Sequence, residues 1–158
     1  MPPSVVFVCM GNICRSPAAE GVLKALAAER GVAEGLRVDS AGTISYHAGK
    51  PPDPRMREAA ARRGYRLDGR SRLFQAEDAE RFDLVVAMDR ENLADLEEIC
   101  GRRPANARLL SDFLPAGSPT DVPDPYYGGA RGFDVVLDLM EQACPRILDQ
   151  LLDEDDER

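Results

Sequence analysis

Val5-Val6-Phe7-Val8-Cys9 is an unbroken apolar run of β-forming residues, too short for a helix and suited to a strand buried on both faces. After a brief loop, Ser16-Pro17 offers a helix N-cap followed by proline at the first helical position. Ala18, Val22, Leu23 and Leu26 then recur at helical spacing until Gly31. Leu36–Ser40 predicts a shorter second strand. Asp53-Pro54 repeats the cap-plus-proline signal and opens a helix to about Arg63, closed by Gly64, with Arg55, Arg57, Arg62 and Arg63 expected on a solvated face. Phe82–Met88 predicts a third strand. Asp89 caps the helix that follows, whose Leu93, Leu96 and Cys100 face inward before Gly101. Ala107–Phe113 predicts a fourth strand, and Pro115–Tyr127 a long loop. A final helix over roughly Arg131–Leu152 carries Phe133, Val136, Leu137, Met140, Cys144, Ile147, Leu148 and Leu151 at spacings of three and four, with a kink expected at Pro145.

Strands alternating with helices predict an α/β fold: a single-domain, four-stranded parallel sheet with helices on both faces, a Rossmann-like three-layer sandwich. The domain is expected over 1–152, with 153–158 a charged tail that frays. A length of 158 residues suits one such domain. The net charge of -8 disfavours a nucleic-acid or anionic-membrane partner, since both require a cationic footprint. No apolar run approaches the ~20 residues of a bilayer span, and no targeting segment is visible at the N-terminus. Four cysteines and one histidine supply no zinc-binding pattern, and the cysteines are too sparse for a secreted disulfide scaffold. The expected location is the reducing cytoplasm.

In sheets of this kind, ligands bind at the carboxyl ends of strands where the strand order reverses. The segment expected there is Cys9-Met10-Gly11-Asn12-Ile13-Cys14-Arg15-Ser16. Backbone N–H groups from Met10 to Arg15 can curl around a tetrahedral oxyanion, helped by the positive end of the following helix. Gly11 and Asn12 are residue types that tolerate the left-handed backbone such a curl demands. Arg15 offers a two-pronged donor to two phosphate oxygens. Cys9 would sit beneath the anion among amide dipoles and a guanidinium, surroundings that favour a thiolate. Ser16 can donate to that sulfur or cap the helix. The Gly-x4-Gly-Lys-Ser/Thr signature of nucleotide-binding loops and the Gly-x-Gly-x-x-Gly dinucleotide signature are both absent.

A cysteine, five spacers, arginine and serine between a strand and a helix resemble the low-molecular-weight protein tyrosine phosphatases. The resemblance extends through Val38-Asp39-Ser40-Ala41-Gly42, Gly49–Asp53 and Ala87-Met88-Asp89 to Asp124-Pro125-Tyr126-Tyr127. It implies that Cys9 is the nucleophile, Arg15 the phosphate clamp and Asp124 the general acid and base. It also implies that Ser40 supports Asn12, and that Tyr46 and Tyr126 wall the substrate ring. Phosphotyrosine-containing proteins and inorganic phosphate are then the partners, and the chemistry calls for no metal or cofactor. Arginine phosphatases of this fold carry Thr at the position of Ile13, so an apolar Ile suits an aryl ester. One departure stands out: many members have a His near Gly69, and this chain has none. An arsenate reductase of the same fold is the alternative, although 84–99 lacks the resolving cysteines of thioredoxin-coupled versions. Cys14, five residues from Cys9 across a curled loop, is the candidate redox partner of the nucleophile.

Overall fold

A computed structural model of the chain describes residues 2–157. Strand β1 (Ser4–Cys9) is buried along its whole length and pairs in parallel with β2 (Arg37–Gly42) on one side and β3 (Leu84–Ala87) on the other. Strand β4 (Ala107–Leu109) adds to β3, giving the order β2-β1-β3-β4. The strand alternation sorts the core into two layers. Val5, Phe7, Cys9, Leu84 and Val86 face α1 (Arg15–Glu29), α2 (Pro54–Arg62) and α5 (Arg131–Asp156). Val6, Val8, Val85 and Ala87 face α4 (Arg90–Cys100) and the segment around the short α3 (Asp78–Arg81). The expected three-layer α/β sandwich is thus the observed fold. Fully buried Phe7, Phe133, Leu137 and Ile147 each contribute roughly 1.5–3 kcal/mol of apolar burial.

Beyond shifts of one or two residues at the ends of β2 and β3, three boundaries differ from expectation, each for a local reason. The fourth strand ends at Leu109 because residues 110–113 wind into a 3-10 turn. Leu110 and Phe113 both enter the α1/α5 core, and a separation of three would put them on opposite faces of a strand but puts them on one side of a helical turn. Helix α5 continues through Pro145 to Asp156, so it includes residues set apart above as a charged tail. Proline cannot donate to the Glu141 carbonyl. Burial of Ala143 and Cys144 before it, and of Ile147, Leu148 and Leu151 after it, carries the helix across. Helix α1 begins at Arg15, so Ser16-Pro17 lies inside the first turn instead of capping it. The other caps are as expected: Asp53 accepts from the Arg55 amide at 2.8 Å, Asp89 from the Asn92 amide at 2.7 Å, and Gly101 closes α4 at φ 76°. Nor are the arginines of α2 and its C-cap Arg63 all solvated bystanders. Arg63 reaches Asp134, Asp138 and Glu141 on α5.

Strand order reverses between β1 and β3, since the chain goes from β1 outward to β2 and then returns to the other side for β3. The crevice at their carboxyl ends is where such sheets bind ligands. Among the described residues, no helix is long and apolar enough to cross a membrane.

Candidate active site

The loop after β1 folds into a cup because five of the carbonyls around it are engaged from outside. The Thr43 amide reaches Cys9 O and Met10 O, each at 3.0 Å, and the Ile44 amide reaches Met10 O at 3.1 Å. Ser71 Oγ donates to Gly11 O at 3.0 Å, the Asp53 amide to Ile13 O at 2.8 Å, and the Ala18 amide to Cys14 O at 3.1 Å. The amides of Gly11, Asn12, Ile13 and Cys14 donate to no other group among the described residues. An arc of N–H groups therefore lies open for an oxyanion at the start of α1.

Asn12 fixes the curvature. Its φ of 55° is the one positive value at a non-glycine among the described residues. The side chain explains how the strain is held: Nδ2 donates to Ser16 Oγ at 2.8 Å and to Ser40 Oγ at 2.9 Å, while Oδ1 accepts from the Arg72 amide at 3.0 Å. Ser40 Oγ in turn donates to Glu20 Oε1 at 2.7 Å. Because Asn12 donates to Ser16, the Ser16 proton is free for Cys9 Sγ at 3.0 Å. That engagement is why Ser16 does not cap α1. Gly11, expected to share the left-handed geometry, does not adopt it. Its role is clearance, since a Cβ there would stand 3.1 Å from the His47 ring. Gly42 is likewise a close approach, with a Cβ falling 2.8 Å from Met10 O.

Arg15 is buried and lies under two carboxylates. Nη1 contacts Asp89 Oδ2 at 2.6 Å and Val122 O at 3.1 Å, and Nη2 faces Asp124 Oδ2 at 3.5 Å. Burial alone would lower its pKa, but the Cys9 sulfur, Asp89 and Asp124 outweigh burial and raise it, so the guanidinium stays charged. Cys14 is buried beside Cys9, and burial followed by the Asp53 charge pushes its thiol well up from the ordinary range. Cys9, Met10, Gly11, Ile13, Cys14, Arg15 and Asp124 line one cleft of about 310 Å3, whose rim carries Ile44, Tyr46, His47 and Tyr126. Tyr46 is 77% exposed and meets His47 edge-on at 4.8 Å, and His47 leans toward Tyr126 at 6.1 Å. Among the described residues no cluster of His, Cys, Asp or Glu is arranged to hold a metal ion.

Every residue singled out from the sequence for this site therefore lies in the cleft or directly behind it. Sequence reasoning missed Asp89 as a partner of Arg15, seeing only a helix cap. It also passed over His47 and Ile44 on the rim, and Glu20 behind Ser40. Loop support on the side where the expected His is lacking comes from Ser71 and Arg72, whose guanidinium is gripped by Asp39 and Asp78.

Fold and cleft together define a class: α/β proteins that hold an oxyanion over a cysteine at a strand end. The chain belongs to the low-molecular-weight phosphotyrosine protein phosphatase family, whose profile matches residues 4–157. It is 45% identical over 148 residues to a low-molecular-weight protein-tyrosine-phosphatase of Streptomyces coelicolor, covering 91% of this chain and 90% of that one. A protein tyrosine phosphatase of Entamoeba histolytica, solved with Hepes in its active site, superposes with a TM-score of 0.91 at 41% identity, over 97% of this chain and 99% of that one. A Drosophila arginine phosphatase superposes with a TM-score of 0.85 at 32% identity, over 92% and 96%.

The Asn12 geometry has a measurable consequence. Asn12→Ala and Asn12→Gly lose the same side-chain bonds, but only alanine resists φ 55°, at a cost of roughly 1–2 kcal/mol. In urea unfolding the Gly variant is expected to be the more stable by about 0.5–1 kcal/mol, reversing the ordinary preference for Ala over Gly. A more stable Ala variant would mean that the loop abandons the left-handed turn.

Proposed function

We propose that the protein hydrolyses phosphotyrosine in proteins by double displacement at Cys9. The observation that carries this reading is the convergence of Cys9, Arg15 and Asp124 on one cleft rimmed by tyrosine rings. The Cys9 thiolate attacks phosphorus in line, the P–O bond to the phenol breaks, and Asp124 gives its proton to the departing oxygen. Loop amides and Arg15 hold the equatorial oxygens, where preorganised donors do most to stabilise a phosphoryl transition state. Asp124 then takes a proton from water, which attacks phosphorus, breaks the S–P bond and releases phosphate. The Ser16 hydroxyl steadies the sulfur as leaving group. Ser40 and Asn12 keep the cup in shape, and Tyr46 and Tyr126 flank an aryl ring.

The arsenate reductase reading is the weaker one, because aromatic walls and an aspartate over the anion serve an aryl ester and have little to do for arsenate. Against phosphoarginine, Ile13 is the relevant residue. It is 8% exposed and its side chain is all carbon, so that side chain gives a guanidine nitrogen no partner. Cys14 serves as redox partner: peroxide oxidises the Cys9 thiolate to sulfenic acid, the Cys14 sulfur displaces water from it, and a dithiol reductant later reopens the disulfide. A buried, protonated Cys14 thiol makes closure wait on its deprotonation, so closure quickens as pH rises.

Turnover of p-nitrophenyl phosphate in EDTA tests the core of this reading. Cys9→Ser is expected to abolish it while inorganic phosphate still binds, because the amides and Arg15 remain. Substantial residual turnover would remove the covalent mechanism. Ile13→Thr is expected to raise the phosphoarginine-to-phosphotyrosine activity ratio by about tenfold, the worth of one hydrogen bond; an unchanged ratio would make Ile13 packing alone. After peroxide, dithiothreitol is expected to rescue the native enzyme and not Cys14→Ser. Equal rescue, with no linked Cys9–Cys14 peptide by mass spectrometry, would return Cys14 to a space-filling role.

A further inference from the structure

Asp124 stands on a segment with little regular structure of its own, a single 3-10 turn over Pro125–Tyr127 before α5 begins. On the N-terminal side the segment is pinned to the sheet and to Arg15 through Val122, whose amide reaches Met88 O at 3.0 Å and whose carbonyl takes Arg15 Nη1 at 3.1 Å. On the other side the carboxylate itself has two contacts: Oδ2 faces Arg15 Nη2 at 3.5 Å, and Oδ1 takes the shorter bond, from the Tyr126 amide at 3.0 Å. With the Arg15 side fixed by its burial, what fixes the Tyr126 peptide sets the remaining freedom of the carboxylate.

Arg55 sits at that peptide. Its Nη2 donates to Tyr126 O at 3.3 Å, and its guanidinium lies 5.4 Å from the Tyr126 ring centre and 5.0 Å from that of Phe133 at the start of α5. The same guanidinium grips Asp53 with Nε at 3.1 Å and Nη2 at 2.9 Å. Asp53 is 7% exposed, and its amide donates to Ile13 O in the anion cup. One side chain thus links the cup, the first turn of α2, the segment bearing Asp124 and the first turn of α5.

We infer that Arg55 is a positioning residue for Asp124, latching the segment that carries the proton donor to the wall of the anion cup. The inference rests on Asp124 being the proton donor of the reaction proposed above. A planar fork is required, because one guanidinium must serve a carboxylate on one edge, a carbonyl on another and two rings on its faces. Lysine offers a point charge that can satisfy only part of this set. The latch is also separable from the fold of α2, since the Asp53 cap is completed by the Arg55 backbone amide, which survives any substitution there except proline.

The test compares kcat/KM for phenyl phosphate and p-nitrophenyl phosphate, because a poor leaving group depends on protonation and a good one much less. Arg55→Ala is expected to lose about tenfold with phenyl phosphate and no more than about twofold with p-nitrophenyl phosphate, a fraction of the ~10²–10⁴ that general acid catalysis supplies. Arg55→Lys should fall between Arg55→Ala and the native enzyme, and inhibition by inorganic phosphate should be unchanged. In an Asp124→Asn background, Arg55→Ala should cost nothing further with phenyl phosphate, since the group it positions is gone. Equal loss with both substrates, weakened phosphate inhibition, or the same loss in the Asp124→Asn background would each overturn the latch by marking a general structural role. Asp124→Asn that itself loses equally on both substrates would overturn the proton-donor reading, and the latch with it.

Discussion

The site depends on where the loop carbonyls go. A buried C=O must be paired, and five around the cup find donors outside it: two β2-edge amides, the Asp53 amide, the Ser71 hydroxyl and the first turn of α1. Each bond that turns a carbonyl outward helps aim the neighbouring amides inward. The cup is therefore preorganised by elements that stand outside it, an arrangement in which neutral peptide groups can stabilise charge without rearranging. The loop is consequently sensitive to residues as far away in sequence as Ser71 and Arg72.

Charge in the cleft is arranged by pairing and not by overall composition. A chain of net charge -8 still holds a buried guanidinium at its centre. An unpaired Arg15 would be costly there, and Asp89 supplies the close partner at 2.6 Å. Asp124 stands farther off, at 3.5 Å and partly open to solvent. The two carboxylates thus divide the work: one neutralises and anchors the arginine from the β3 side, and the other stays at the mouth where a leaving group would depart. Asp89 does this while also capping α4, one oxygen for each task.

Much of this was legible in the sequence wherever a local pattern carries the information. The apolar run of β1, the cap-plus-proline at Asp53-Pro54 and the cysteine-to-arginine spacing are all short-range signals, and each has its expected counterpart in the fold. The misses share a different character. Ser16 could cap the helix or hold the sulfur, and only the sulfur role survives once Asn12 and Cys9 share its hydroxyl. Asp89 looks only like a cap until β1 and β3 become neighbours and bring Arg15 within reach. Arg55 looks like a solvated helix residue until the segment before α5 folds back over it. Leu110 and Phe113 read as strand residues because their shared burial follows from the position of α5. Except at Ser16, the deciding partner is distant in sequence, and no periodicity within a window reports it.

The chemistry is finally tied to strand parity. Cys9 is the last residue of β1, with Val5 and Phe7 on the α1/α5 face and Val6 and Val8 on the α4 face. Its sulfur reaches Ser16 because residue nine shares the face of residues five and seven, the side on which α1 packs. A slip of β1 by one residue against β2 and β3 would turn Cys9 toward α4, away from Ser16, Asn12 and Arg15. The same slip would exchange Phe7 for valines in a core filled to suit it, so the register that buries Phe7 is the register that delivers the sulfur. Packing and the placement of the sulfur are thus enforced by one alternation, and Cys9 is positioned by the hydrophobic residues before it as firmly as by the polar ones around it.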